Sequence, residues 1–219
     1  MAESIEVFRD LYLRGPVARR SDLRQALVAA AVDPWYYDPD RSAAISRNVT
    51  DTDADILAFG RKASDDLQAA ELTLWSRDDG YYVPNIVPIE FGELSIAQYN
   101  DILTDFLERV VRPVAPQFDY QIDATAARQD LGDWTSADAA RKLRAFSAAA
   151  NKSTGASHPL DQRRWFDFII AVHESQKTIG TDHLVRWLYK VDGWDEESAH
   201  KLAGQYETAL SLLKRYDER

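Results

Sequence analysis

Residues 151–165, Asn-Lys-Ser-Thr-Gly-Ala-Ser-His-Pro-Leu-Asp-Gln-Arg-Arg-Trp, gather the side chains best suited to holding an anion. Lys152, Ser153, Thr154, His158, Arg163 and Arg164 surround the expected start of a helix. Free backbone N–H groups and the positive end of a helix dipole at such a start can receive a phosphate, a sulfate or a partner's carboxylate. The stretch lies in a basic island, since residues 139–165 hold six Lys and Arg against Asp161 alone, a balance of +5. It is not a phosphate loop, because Gly-x-x-x-x-Gly-Lys-Ser/Thr is absent. A purely structural account covers the same residues. Pro159 suits the first position of a helix, His158 or Ser157 caps it, Asp161 falls in the first turn, and Arg163 or Arg164 pairs with Asp167.

Other chemical templates fail on identity or spacing. Asp51-x-Asp53-x-Asp55 begins like a calcium loop, but Ile56 and Lys62 stand where Gly and Glu are required. Asp66 and Glu71 open a restriction-type nuclease pattern that Thr73 breaks where Lys is needed. His158, His173, His183 and His200 lack the spacing that puts two ligands on one helical face, so no metal is expected, and no motif calls for a cofactor. His173, on an apolar helical face, is expected to be a core histidine held by one hydrogen bond. Glu90 and Glu93 could pair for acid–base work beside Tyr81, Tyr82 and Asn85, but they read first as exposed acids leading into a helix. Whether the chain is an enzyme stays open on these residues.

Composition narrows the field. The 219 residues include no Cys, which excludes disulfides and thiolate chemistry. The first residues lack the basic and apolar regions of a signal peptide, and no apolar run approaches the roughly 18 residues of a spanning helix. A soluble cytoplasmic protein without membrane contact is the expectation. A net charge of −10 opposes general binding to nucleic acid. The acidity is concentrated in residues 51–100, where three basic residues face ten acids, a balance of −7.

The elements that must position these groups follow from periodicity and caps. Ile5, Phe8, Leu11 and Tyr12 recur at helical spacing, Gly15-Pro16 breaks the run, and Ser21 caps a second helix ending before Asp33-Pro34. This cadence also suits a helix-turn-helix reader of DNA. Residues 33–54 read as a long loop whose Trp35-Tyr36-Tyr37 cluster docks on the core. Residues 55–61, 70–76 and 81–89 alternate as strands, with Asp79-Gly80 as a turn signal and Pro84 and Pro88 forcing the third strand to an edge or a bulge. Ser95 and Gln98 predict a capping box for a helix with one apolar stripe, Ile96 to Val110. Helices are then expected from Thr135 to about Ala150 and over 159–176, 182–191 and 196–216.

The expected class is α+β: an N-terminal helical hairpin, a three-stranded antiparallel meander covered by a helix, and a C-terminal helical bundle. It forms one compact unit over 1–219, with subregions 1–113 and 135–219 joined by 114–134. The leading functional expectation is an interaction or regulatory protein of antitoxin or immunity type, binding a protein partner, in a hetero- or homo-oligomer, through acidic and aromatic surface. The alternative is an enzyme or sensor that takes a small phosphorylated ligand at the basic helix start, 152–164.

Overall fold

The computed structural model describes residues 3–49, 54–90 and 92–219, and among these the chain is mixed α/β, with an antiparallel sheet and eight α-helices. It divides into two compact units, one of residues 6–127 and one of residues 1–5 with 128–219. No helix among the described residues is long and apolar enough to cross a membrane. Asp51 and Asp53 of the calcium-like run lie outside the described residues.

Residues 5–14, expected as a helix, are strands: β1 (Ile5–Glu6) and β2 (Leu11–Arg14). Burial gives the reason. Ile5, Val7, Leu11 and Leu13, all odd-numbered, are buried, whereas Phe8 and Tyr12, which create the helical spacing, stay partly exposed. The helical hairpin and the helix-turn-helix reading both lose their first helix. A short 3-10 turn, Val17–Arg19, leads into α1 (Arg20–Ala30), which buries Leu23 and Leu27 and has no side-chain cap from Ser21.

The expected loop after α1 contains β3 (Trp35–Tyr37) and α2 (Pro39–Asn48). Asp38 caps α2 by accepting from the Arg41 N–H at 2.8 Å, with Pro39 beginning the helix and Asp40 in the first turn. Strands β4 (Ile56–Arg61), β5 (Ala70–Arg77), β6 (Gly80–Tyr82) and β7 (Ile86–Pro88) follow. One edge of β5 pairs with β4; on the other edge Ala70–Leu72 pair with β7 and Trp75–Arg77 with β6. The expected third strand is therefore two strands, interrupted at residues 83–85, where Pro84 has no N–H to give.

Helix α3 (Ile96–Phe106) begins at Ser95 with both capping-box bonds formed, 3.2 Å from the Gln98 N–H and 2.9 Å from the Ser95 N–H to Gln98 Oε1. Its stripe Tyr99, Ile102, Leu103 and Phe106 shares a core with Phe59, Leu72 and Leu74 of the sheet. Within this core lies a buried polar network. Arg61, only 3% exposed, donates from Nε to Asp105 at 3.0 Å and from Nη1 to the Lys62 and Leu67 carbonyls at 2.9 Å each. Trp35 Nε1 and Arg109 Nε also donate to Asp105, at 2.8 and 2.7 Å. Trp35 is thus docked by an edge-type ring contact with Phe106, centroids 4.9 Å apart, and by its indole N–H on a carboxylate.

Residues 114–134, expected to connect two subregions, contribute to structure on both sides of the unit boundary. Ala115 and Tyr120 belong to the first core, and β8 (Gln121–Ala124) completes a sheet ordered β3-β4-β5-β6-β2-β8, with β7 beside β5. Then β9 (Arg128–Gln129) pairs with β1, and Asp130 caps the single turn α4 (Leu131–Trp134).

The remaining helices are α5 (Ala137–Ala149), α6 (Pro159–Ser175), α7 (Thr181–Lys190) and α8 (Glu196–Asp217). Ser136, His158 and Asp195 cap α5, α6 and α8 by accepting from the N–H of Ala139, Leu160 and Ser198, while α7 starts after Gly180 with no side-chain cap. Thr135, where the sequence predicts α5 to start, lies outside it and bonds the Lys177 carbonyl at 3.0 Å. Their core is built from rings: Phe146 lies between Trp165 and Trp194, with centroids at 4.9 and 5.4 Å, and Phe168 stacks on Tyr206. Much of the aromatic surplus of the sequence is used here, inside the helices.

Candidate functional site

The basic corner at 152–164 folds as an element junction most of whose donors are engaged within the chain. Lys152 donates its ammonium to the Asp192 carbonyl, Ser153 and Thr154 bond Asn151, and His158 Nδ1 accepts from the Leu160 N–H at 3.2 Å. Arg164 pairs with the buried Asp161, one turn earlier on the helix, at 2.9 Å and not with Asp167. Arg163 is exposed. Thr154, His158 and Arg164 do line one hollow of about 620 Å³ with Asn151 and Asp161. A phosphorylated ligand entering it would meet the Asp161 carboxylate and would compete with it for Arg164.

The charge island is also smaller in space than along the chain. Asp138, one residue outside the counted window, pairs with Arg141 and, at 3.1 Å, with Lys142. Counted by unit, residues 6–127 hold 12 basic and 21 acidic residues, a balance of −9, while residues 1–5 and 128–219 hold 14 and 15, a balance of −1. Nearly all of the net charge belongs to the unit with the sheet.

Near the corner, Asp192 is held in an unfavourable state. Burial pushes its carboxyl up to about 6, against the pull of Ser147, Lys152 and Trp187, while Glu3 adds to the rise. Its Oδ2 and the neighbouring Trp187 Nε1 are both buried and, among the described residues, neither completes a well-formed hydrogen bond. The folded-state value is raised, so the protonated form is the stabilising one: its contribution is complete below 3.8 and is lost as pH rises through about 6. Asp192→Asn should stabilise the protein at pH 7 by about 1–2 kcal/mol, allowing for the water that reaches the site, and by almost nothing near pH 4. Urea denaturation of both proteins across this range checks it; an equal difference at both ends would contradict the assignment.

The second surface lies on the sheet face turned away from α3. Outward positions of β5, β6 and β2 bring Trp75, Tyr82 and Tyr12 into one register row, with Trp75 opposite Tyr82 and Tyr82 opposite Tyr12. All three are half-buried, between fully buried Leu74, Tyr81, Leu11 and Leu13 that face the core. Tyr12 and Tyr82 stack with centroids 6.4 Å apart. Two exposed arginines extend the row: Arg77 lies 4.2 Å from the Tyr82 centroid and Arg14 5.3 Å from that of Tyr12. Arg14 also pairs with Asp123 at 3.4 Å and Asp79 at 3.7 Å. Burial, with Asp10 nearby, raises the Tyr12 phenol above its usual value, which keeps it a neutral donor.

The chain matches no protein-family model, no curated protein and no solved structure. Function must therefore be argued from the two surfaces. The corner has few free donors, whereas the row combines Trp, Tyr and Arg, the side chains that dominate binding energy at interfaces. Sequence reasoning named Tyr82 only as the wall of a groove beside Glu90 and Glu93, both exposed here, and placed Tyr12 on a helix. The alternations Leu11-Tyr12-Leu13-Arg14 and Leu74-Trp75-Ser76-Arg77 carry the signal that would have found the row.

Proposed function

We propose that this chain is a protein-binding module whose anchor is the Trp75–Tyr82–Tyr12 row, and that its partner presents a basic segment. The observation that carries the reading is the register row of half-exposed rings, set in a unit with a balance of −9. The field of such a unit attracts a cationic partner and repels phosphate backbones. The rings already hold the Arg77 and Arg14 guanidinium groups 4.2 and 5.3 Å from their centroids, so a partner's arginine can take the same kind of position. An acidic protein that covers the basic surface of a partner can block what that surface binds, as antitoxin and immunity proteins do.

The test uses a peptide of alternating Arg and Gly, with a Glu–Gly peptide and oligouridine as comparators, in isothermal titration. Binding of the Arg peptide is expected, weakened at least about tenfold by Tyr82→Ala, or ~1.4 kcal/mol. Unchanged affinity in that variant would show only general charge attraction and would overturn the reading. Tighter binding of oligouridine would make the row a base-stacking platform instead.

A further inference from the structure

The cation position on the aromatic row is already filled from within the chain. Arg77 is exposed at the end of β5, and its guanidinium lies over two rings, 4.2 Å from the Tyr82 centroid and 5.7 Å from that of Tyr12. The register explains this reach. Arg77 pairs with Gly80 across β5 and β6, so Tyr82 is its diagonal neighbour, and Tyr12 lies beyond on β2. Gly80 pairs on its other side with Arg14 and carries no side chain, which leaves the rings open to both arginines. The two differ in what else holds them. Arg14 has Asp123 at 3.4 Å and Asp79 at 3.7 Å, whereas Arg77 forms no ion pair and no side-chain hydrogen bond among the described residues, so its guanidinium rests on the rings alone. The backbone beneath is braced separately, because Arg20 donates to the carbonyls of Arg77 and, at 3.0 Å, of Asp78. The Arg77 side chain can therefore leave the rings without disturbing the hairpin.

We propose that Arg77 is an autoinhibitory lid on the row: it occupies the place of the partner's arginine and must swing out before that arginine can stack. The proposal rests on the reading of the row as the binding face. A site that is open only part of the time binds with its intrinsic affinity reduced by the open fraction. An exposed cation–π contact keeps the rings covered in most copies of the chain but not in all, so removing it should tighten binding about threefold to fivefold. Arg14, tied to two carboxylates, stays beside Tyr12 as a fixed edge of the row.

Isothermal titration of the full chain with the Arg–Gly peptide compares wild type, Arg77→Ala and Arg112→Ala at about 0.15 M salt, where charges are screened beyond roughly 8 Å. Arg112 follows α3, which covers the opposite face of the sheet, so its loss removes the same charge from the same unit without touching the row. Arg77→Ala should bind about threefold to fivefold tighter than wild type, and Arg112→Ala should bind about as wild type does. In wild type, the nitrogen-15 signal of the Arg77 Nε–H group should move toward that of a free arginine as the peptide saturates the chain. An Arg77→Ala variant no tighter than Arg112→Ala, or an Arg77 signal that stays in place at saturation, would overturn the lid. Weaker binding in Arg77→Ala would make Arg77 a contact for the partner and overturn it as well. Tyr82→Ala separates this failure from that of the row: wild-type affinity in that variant removes the binding face and the lid together, whereas weakened binding there beside an unimproved Arg77→Ala removes the lid alone.

Discussion

Replacing Asp105 by alanine should lower the unfolding free energy by about 3–5 kcal/mol, because it strands the Arg61 guanidinium in the core. Arg61 keeps its bonds to the Lys62 and Leu67 carbonyls and to Ser64, but loses the only carboxylate with which it forms an ion pair among the described residues. Trp35 loses the acceptor of its indole N–H in the same step. Burial raises the Asp105 carboxyl, but the donors Arg109, Arg61 and Trp35 outweigh it and hold it below its usual 3.8. A depressed folded-state value means that the network's contribution is complete above 3.8 and is lost as pH falls below it. Urea denaturation should show the full difference between wild type and Asp105→Ala at neutral pH and a smaller one near pH 2; equal stability of the two proteins at neutral pH would refute the network's role.

Gly80→Ala should cost about 3 kcal/mol or more and should scatter the aromatic row. Gly80 begins β6 with φ at +152°, a region that side chains rarely enter, and an added Cβ would stand 1.7 Å from the Leu13 carbonyl oxygen. Because that neighbour is backbone, relief requires moving β2 away from β6, and with it Tyr12 from Tyr82. Circular dichroism melting should report the loss. A variant that melts within a few degrees of wild type would mean that the contact is easily relaxed.

How far the sequence foretold these features depended on whether local chemistry or distant pairing decided each one. Caps were legible in part: Ser95 with Gln98, His158 before Pro159, and Asp195 act within one turn of themselves, whereas Ser21 and Thr135 cap nothing, the role at α5 falling to Ser136. Asp38-Pro39-Asp40 carried the same kind of signal and lay hidden in a stretch dominated by loop-forming residues. The first strands were not legible, because Phe8 and Tyr12 complete a helical period by coincidence and only pairing with β6 and β8 decides for strand. The Asp79-Gly80 signal correctly marked a hairpin, but the loop is Asp78-Asp79, and the glycine is needed one position later for its approach to β2. The basic island was a property of a window that stopped short of Asp138. Tryptophan abundance alone could not separate core from surface: Trp165, Trp187 and Trp194 are enclosed, and Trp75 is half-exposed on the row.

The most direct measurement on the proposed binding face is a nitrogen-15 NMR titration of the full chain with the Arg–Gly peptide. The Trp75 indole signal and the amide signals of Tyr12, Gly80 and Tyr82 should shift together and saturate at one peptide per chain. Shifts centred instead on the 152–164 corner, or scattered over the acidic surface without saturation, would contradict the account.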